Sequence, residues 1–300
     1  MKIKGIALVL LGAASFGFTP IFVKTGFAYG YTLGQLNIAQ MLVAILILWG
    51  LSLVKKLNVK ELRKEEILKV IATGTTVGLT SIFYYGAMQY LSASLAIILL
   101  FQFVWIGMIY EWIFSKSKPT KVNLLSMVIT LTGVVLSSNV MNGKVFDLPP
   151  IGLLLGLLSG FSYAGFIFFS GQVATGSHPI LRSSWMVTGS MILVLIVFIK
   201  DIPSYPILDG RLWAIGFGVA LVGAIIPPLF FAGGAPLISG RLANVLSSIE
   251  LPVAIISAML ILSESVTVFQ WVGILLILLA IMVNELGGQM GYRMKRKNAG

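Results

Sequence analysis

The sequence predicts an all-α integral membrane protein: ten transmembrane helices built as two inverted five-helix repeats, with both termini cytoplasmic. Three observations predict it. First, 58% of the 300 residues are hydrophobic and 10% are charged, with a mean hydropathy of +0.99, whereas a soluble chain of this size needs about a quarter of its residues charged. Second, the apolar residues fall into ten runs of the length, about 20 residues, that crosses a hydrocarbon core about 30 Å thick. Third, lysine and arginine crowd into alternate connections between those runs, the bias that sets orientation in a bilayer.

Taken in order, the first run, 3–27, follows Lys2 and Lys4 and imitates a secretory signal peptide. It continues past any small-residue cleavage site into Phe22 and Phe27, too long for a 7–15-residue signal core, and reads as a span. The second run is 33–54. The third, 67–88, carries Gly74 and Gly78 four apart, which brings helices close, and ends on Tyr84 and Tyr85. The fourth and fifth are 94–114 and 122–140. The sixth, 151–172, opens on Gly152, Gly156 and Gly160, two overlapping Gly-x-x-x-Gly patterns, and the seventh is 181–199. Pro227-Pro228 lies inside the eighth, 212–235, and removes two backbone donors, marking a kink or hinge. The ninth and tenth, 242–262 and 269–286, complete the count, and Arg293 to Lys297 read as a stop-transfer anchor. Because several connections are only a few residues long, neighbouring helices are antiparallel.

With the N-terminus inside, the cytoplasmic connections hold Lys2, Lys4, Lys55, Lys56, Lys60, Arg63, Lys64, Lys69, Lys116, Lys118, Lys121, Arg182, Arg241, Arg293, Lys295, Arg296 and Lys297, 17 of the 21 cations. The outside holds Lys144, Lys200 and Arg211, and Lys24 lies within the first span. Adding or removing one span destroys this bias. The net charge of +11 is therefore a topology signal with some attraction to anionic lipid; spread over separate loops, it is no nucleic-acid footprint. Sliding the chain by 147 residues aligns the two halves without a gap: Gly5 meets Gly152, Ser15 meets Ser162, Phe16 meets Tyr163, Leu99 meets Leu246 and Thr120 meets Thr267. The units are 1–145 and 146–290, with 291–300 as a basic tail. Five spans is an odd number, so the second unit enters the bilayer upside down, a building plan of secondary transporters.

At these residues the chain resembles the drug/metabolite transporter superfamily, in its ten-span EamA branch. Phe16-Gly17 through Lys24 is similar to that family's Trp-Gly-x-x-x-x-x-x-Lys pattern, with Phe16 in place of Trp. Tyr84-Tyr85-Gly86-Ala87 through Tyr90-Leu91-Ser92-Ala93 is similar to its Tyr-x-Ala-Leu-x-Tyr-x-Ser-Ala. Glu250-Leu251-Pro252-Val253, then Leu262-Ser263-Glu264 and Trp271-Val272-Gly273, is similar to its Glu-Pro-Val and Leu-Gly-Glu…Trp-x-Gly, with Leu251 inserted and Ser263 for Gly. The resemblance implies a multi-pass carrier in the cell membrane, in a family of amino acid, metabolite and drug exporters, and leaves the substrate open.

Charged groups inside a span cost roughly 2.5–3.5 kcal/mol at mid-helix on insertion scales and so mark candidate sites. Glu250 lies about eight residues, roughly 12 Å, into the ninth span, beyond the reach of a short snorkelling side chain. Asn244, Ser247 and Ser248 sit on the preceding turns, and Pro252 frees the Ser248 carbonyl. A carboxylate there suits proton or cation handling, against a plain helix–helix hydrogen bond. Lys24 stands near the outer end of its span, where coupling competes with snorkelling. Glu111 and Glu285 stand near inner ends and read as interfacial anchors. Tyr84, Tyr85, Gln102, Trp105, Ser162 and Tyr163, with Asn244 and Ser247, are the expected substrate-binding set, since aromatics with a few amides and hydroxyls suit an amphiphilic solute; the ordinary alternative for each is packing or a bond to its own helix.

Cysteine is absent, and His178 is the lone histidine, so thiolate sites and His-based relays are excluded. No phosphate-binding Gly-x-x-x-x-Gly-Lys-Ser/Thr occurs, so neither an ATP-driven step nor any cofactor is expected. The reading is a secondary active transporter, an exporter of small organic metabolites such as amino acids, driven by protons through alternating access and not an enzyme. The alternatives are a polyspecific drug or cation exporter and, more remotely, a lipid-modifying membrane enzyme. Its expected partners are the solute, protons and membrane lipid, with no nucleic acid, and a second copy of the chain is a candidate. Because the chain has no native cysteine, the topology is directly testable. Single cysteines at Asn58 and Asn298 should react with impermeant thiol reagents only in opened cells, and cysteines at Asn142 and Ser204 in intact ones. Labelling of Asn58 and Asn142 from the same side sinks the inverted ten-span topology.

Overall fold

A computed structural model describes the chain except residues 92, 138–148, 263–265 and 298–300, and except the side chains of 93, 94, 258, 262 and 285–297. Ser92, Asn142, Lys144, Ser263, Glu264 and Asn298, and the side chains of Glu285, Arg293, Lys295, Arg296 and Lys297, therefore lie outside the described residues. Every regular element among those described is helical. Eight helical segments are long and apolar enough to cross a membrane: Lys2–Ala28, Leu33–Val54, Lys64–Tyr90, Leu95–Ser115, Pro150–Ser170, Pro179–Val197, Gly210–Leu237 and Gly240–Ile261. Two shorter apolar helices, Lys121–Ser137 and Val268–Asn284, bring the apolar segments to the ten positions read from the sequence.

Four of the ten are not uniform α-helices. The first divides into α1 (Lys2–Phe16) and α2 (Thr19–Ala28) at Gly17-Phe18, and is followed by α3 (Leu33–Val54) and α4 (Lys64–Tyr90). The fourth divides into α5 (Ala93–Leu100) and α6 (Phe103–Ser115); α7 (Lys121–Ser137), α8 (Pro150–Ser170) and α9 (Pro179–Val197) run unbroken. The eighth is α10 (Gly210–Val219), a π-helical segment at Ala220–Ile225, and α11 (Ile226–Gly234). The ninth divides into α12 (Gly240–Ser247) and α13 (Glu250–Leu262), and α14 (Val268–Lys297) carries the helix through most of the expected basic tail.

Capping residues set several starts. Thr32 and Gln35 form a reciprocal box at α3. Thr120 with Asn123, and Thr267 with Gln270, do the same at α7 and α14, at positions separated by the repeat offset. Asp209 accepts the Arg211 and Leu212 amides at α10. Such side chains satisfy amides that the first helical turn leaves unpaired.

The packing obeys the same offset. The breaks at Phe101-Gln102 and Ser248-Ile249 are equivalent positions. α1 packs on α11 as α8 packs on α4, and α7 packs on α14. A Cβ on Gly5 would stand 2.8 Å from Leu237, and one on Gly152 would stand 2.9 Å from Tyr90; Gly152 and Leu237 are the counterparts of Gly5 and Tyr90 at the offset of 147, so the two contacts are equivalent. Polarity is inverted relative to a soluble bundle: Leu46, Ile196, Leu260 and Leu275 face outwards, while Asn37, Gln40 and Ser81 are buried. That is what lipid selects on the outside of a bundle.

Gly74 rests against the backbone of Met186, so close that any Cβ would collide with its carbonyl, while Gly50 has open space beside it. Gly74→Ala should destabilise by about 1–3 kcal/mol, the usual overpacking range, and lower the unfolding temperature in detergent by several degrees. Gly50→Ala should leave it unchanged or raised, since alanine is the better helix former by up to about 1 kcal/mol. Equal effects at the two glycines would refute this packing.

Candidate functional site

The irregularities of the helices meet in one place. Gly17, at the break between α1 and α2, touches the Glu250 carbonyl at the start of α13; a Cβ there would lie 2.7 Å from that oxygen. Glycine is thus needed at 17 to let the two interrupted helices approach, and this approach brings Glu250 inward. The eighth segment supplies the third irregularity. Pro227 and Pro228 have no N–H, and the Ile226 N–H is bound by the Leu221 carbonyl in the wide π turn. The Val222 and Gly223 carbonyls are thereby left without a helical donor. The Ser15 hydroxyl of α1 shares its one proton between the Gly12 carbonyl at 2.7 Å and the Val222 oxygen at 3.1 Å. Gly223 forms bare wall.

Between these pieces lies a cavity lined by Phe16, Thr19, Gln40, Val77, Thr80, Ser81, Tyr84, Tyr85, Leu100, Tyr163, Phe166, Gly223 and Glu250. About 420 Å³ lies between the lining atoms, but only about 20 Å³ is reachable by the centre of a water-sized molecule. In this conformation the cavity has room for a water or two and none for an organic solute. The rings form a continuous group: Tyr163 meets Phe16 and Phe103 edge-on at 5.2 and 4.8 Å and stacks on Phe166.

Its polar atoms are less well served. Ser81 donates to Asn37 at 2.7 Å, Thr80 donates to Ser162 at 3.0 Å, and the Gln40 side chain lies beside the Tyr85 hydroxyl. Glu250 Oε2, Gln40 Oε1, Thr19 Oγ1 and the Tyr84 and Tyr163 hydroxyls are buried with no well-formed hydrogen bond among the described residues. Tyr163 stands close enough to Glu250 for a loose polar contact, without the geometry of a hydrogen bond. Five unpaired polar atoms in one place are unusual, because a buried polar group without a partner costs about 1–3 kcal/mol.

The structure brings together four of the sequence-predicted site residues, Tyr84, Tyr85, Tyr163 and Glu250, and sets the others apart. Ser162 stands just behind the wall, bonded to Thr80. Gln102 accepts from the Trp105 indole at 2.7 Å and donates to the Ile98 carbonyl, so each satisfies the other away from the cavity. Asn244 packs against Gly107 of α6 and donates to Gly240, and Ser247 donates back to Ala243. Lys24 is exposed. Pro227 and Pro228 are buried at the end of the π turn. Glu111 is buried against Gly240, at the start of α12, and not exposed at an interface. Gln40, Thr19 and Gly223 escaped the sequence reading, which weighed ionisable groups first; an amide at mid-depth of the second span was the available signal for Gln40.

The two ends of the bundle differ. Beyond the start of α3, Tyr31 donates to Asp209 at 2.7 Å, Arg211 covers the Tyr29 ring at 4.5 Å, and Tyr205 reaches the Gln35 carbonyl. Beyond its other end lies an open pocket of about 400 Å³, with Arg63, Glu66 and Lys69 facing Phe114, Phe168 and Phe169.

A model of the EamA-like transporter family matches the chain twice, over residues 3–139 and 150–285. No curated protein sequence matches it. Among the solved structures that match, one described only as the crystal structure of a protein superposes with a TM-score of 0.74 at 13% identity, covering 95% of this chain and 97% of that one. That likeness concerns the fold.

The Tyr31 hydroxyl, followed by the α10 amides, holds the Asp209 carboxyl below its ordinary value. A lowered value means that the ionised form is favoured in the folded chain: the tie is present above about pH 4 and lost as pH falls through the Asp209 titration. Tyr31→Phe should therefore raise the Asp209 midpoint towards the ordinary aspartate value. With only Asp147, Asp201 and Asp209 in the chain, ¹³C-carboxyl NMR resolves this. An unmoved midpoint means the tyrosine is not the cause.

Proposed function

The chain belongs to the EamA-like transporter family, and from that premise we propose that it is a secondary active transporter of small organic metabolites. It works by alternating access, moves solute outwards across the cell membrane, and is driven by protons. The observation that carries this reading is a closed cavity, built where interrupted helices of both repeats meet, with a single carboxyl group among its lining residues. Ten spans in inverted five-helix units, with cytoplasmic termini, fit that reading, because two equivalent packings can exchange to open the cavity at either end. The equivalent contacts of Gly5 and Gly152 support such an exchange. The ties at Tyr31 and Asp209 close the outer end, and the open pocket at Arg63 lies on the cytoplasmic side.

Glu250 is assigned the coupling role. An ionised carboxylate in a dry cavity is costly unless it is paired, so it needs either a proton or a cationic partner there, and exchanging one for the other links the two fluxes. The ionisable groups facing it are Tyr84 and Tyr85 of α4 and Tyr163 of α8; α1, α2, α3 and the π turn contribute Phe16, Thr19, Gln40 and Gly223. Lys24 stands outside this set. Polyspecific export of cationic compounds is the second reading, favoured by the absence of any basic side chain among the lining residues.

Glu250→Gln keeps the shape and removes the charge. Reconstituted in liposomes, it should lose gradient-driven uptake at least about tenfold. A variant that transports at the wild-type rate with the wild-type pH dependence makes Glu250 a structural group.

A further inference from the structure

The chemistry of the cavity wall narrows the solute class. Some polar groups can donate or accept as required, and these do not discriminate: the hydroxyls of Thr19, Tyr84 and Tyr163 are of this kind. The groups with a fixed role do. Glu250 in its ionised form offers a carboxylate oxygen, Gln40 an amide oxygen, and both atoms are buried and unpaired, on residues 3% and 1% exposed. Gly223 adds backbone: its carbonyl has lost both possible helical donors to Pro227 and Pro228, and a Cβ at 223 would stand 3.1 Å from the Gln40 amide nitrogen, which places this wall beside Gln40. Every fixed-role group unpaired in the cavity is therefore an acceptor, and no lysine, arginine or histidine lines it. Around the acceptors stand the rings of Phe16, Tyr84, Tyr85, Tyr163 and Phe166, whose faces attract cations.

Resting on the transport reading above, we infer that the preferred solute is a protonated amine carried on a compact apolar body, its ammonium hydrogens shared among Glu250, Gln40 and the freed Gly223 carbonyl. An ammonium has three donors and no acceptor, matching three fixed acceptors. A solute bearing a free carboxylate meets like charge at Glu250 with no basic side chain to offset it. An anion is excluded on the same ground. A neutral body of equal size gains the rings alone. Proton arrival at Glu250 removes the one charge that holds the ammonium, so binding of solute and proton is mutually exclusive at this carboxyl. The cavity must dilate to admit such a solute, since organic ligands need some 300 Å³ or more.

Four probes with the same ring and different heads isolate the class: phenethylamine, phenylalanine, 3-phenylpropionate and 2-phenylethanol. Binding to the purified full-length protein in nanodiscs, measured by calorimetry, should favour phenethylamine at least about tenfold over each of the others. Glu250→Gln should abolish that preference and leave 2-phenylethanol unchanged. Should this variant fail to fold, Glu250→Asp decides: it withdraws the carboxylate by one methylene and should weaken phenethylamine several-fold while sparing the alcohol. Equal or tighter binding of phenylalanine or 3-phenylpropionate overturns the proposal. So do binding of none of the four, and a phenethylamine affinity indifferent to both substitutions. Liposome uptake of labelled phenethylamine separates the two readings. Tight binding without uptake by the wild type sinks transport and leaves the solute class standing; uptake of another solute without amine binding does the reverse.

Discussion

In hydrocarbon a backbone amide or carbonyl has no water to turn to, so helical regularity is abandoned only where the chain itself, or a cavity, receives the freed groups. The architecture of this protein follows from where that happens. The α1–α2 break, the α5–α6 break, the π turn before Pro227 and the α12–α13 break each put a lining residue into one cavity, through Phe16, Leu100, Gly223 and Glu250. Ser15 takes up one carbonyl that the prolines release. The missing side chain of Gly17 lets the backbone at Glu250 come within contact of the first segment. Irregular backbone and buried carboxyl are thus one feature, and the surrounding continuous helices hold it closed.

The scaffold is symmetric and its chemistry is not. At the repeat offset, Glu250 corresponds to Phe103, Tyr84 to Phe231, Tyr85 to Ala232 and Tyr163 to Phe16. Each polar residue of the site has an apolar counterpart. Duplication repeats the packing, whereas the cavity at the junction carries only one set of polar groups, and a second would add unpaired buried atoms at about 1–3 kcal/mol each. The equivalent positions kept alike are structural: Gly5 and Gly152 at helix contacts, Thr120 and Thr267 at helix starts.

How much of this the sequence made legible depends on direction. Along the helix axis it was informative: the apolar runs, the offset of 147 and the depth of Glu250 all concern distance through the bilayer. Around the axis it was not. Gln102, Trp105, Asn244 and Ser247 lie in interior segments, yet each bonds a neighbour or its own helix outside the cavity, Asn244 through its amide nitrogen alone. Helices that are apolar on every side carry little sign of which face looks inward, so depth could be read and azimuth could not. Gln40 and Thr19 were missed for the complementary reason: uncharged groups carry a smaller insertion penalty than Glu250 and stand out less. The breaks at Gly17-Phe18 and Phe101-Gln102 left no proline at the break itself, and depend on packing between distant segments.

Arg182 was counted among the cytoplasmic charges, yet it is fully buried. Its guanidinium donates to the carbonyls of Ser170, at the end of α8, and Ala232, in α11, groups synthesised 12 residues before it and 50 residues after. Until α11 is in place the cation has half of these acceptors and no dry enclosure. The seventh segment therefore cannot complete its assembly when it leaves the ribosome. The buried cation thus ties the end of the sixth segment, the seventh and the eighth into one unit.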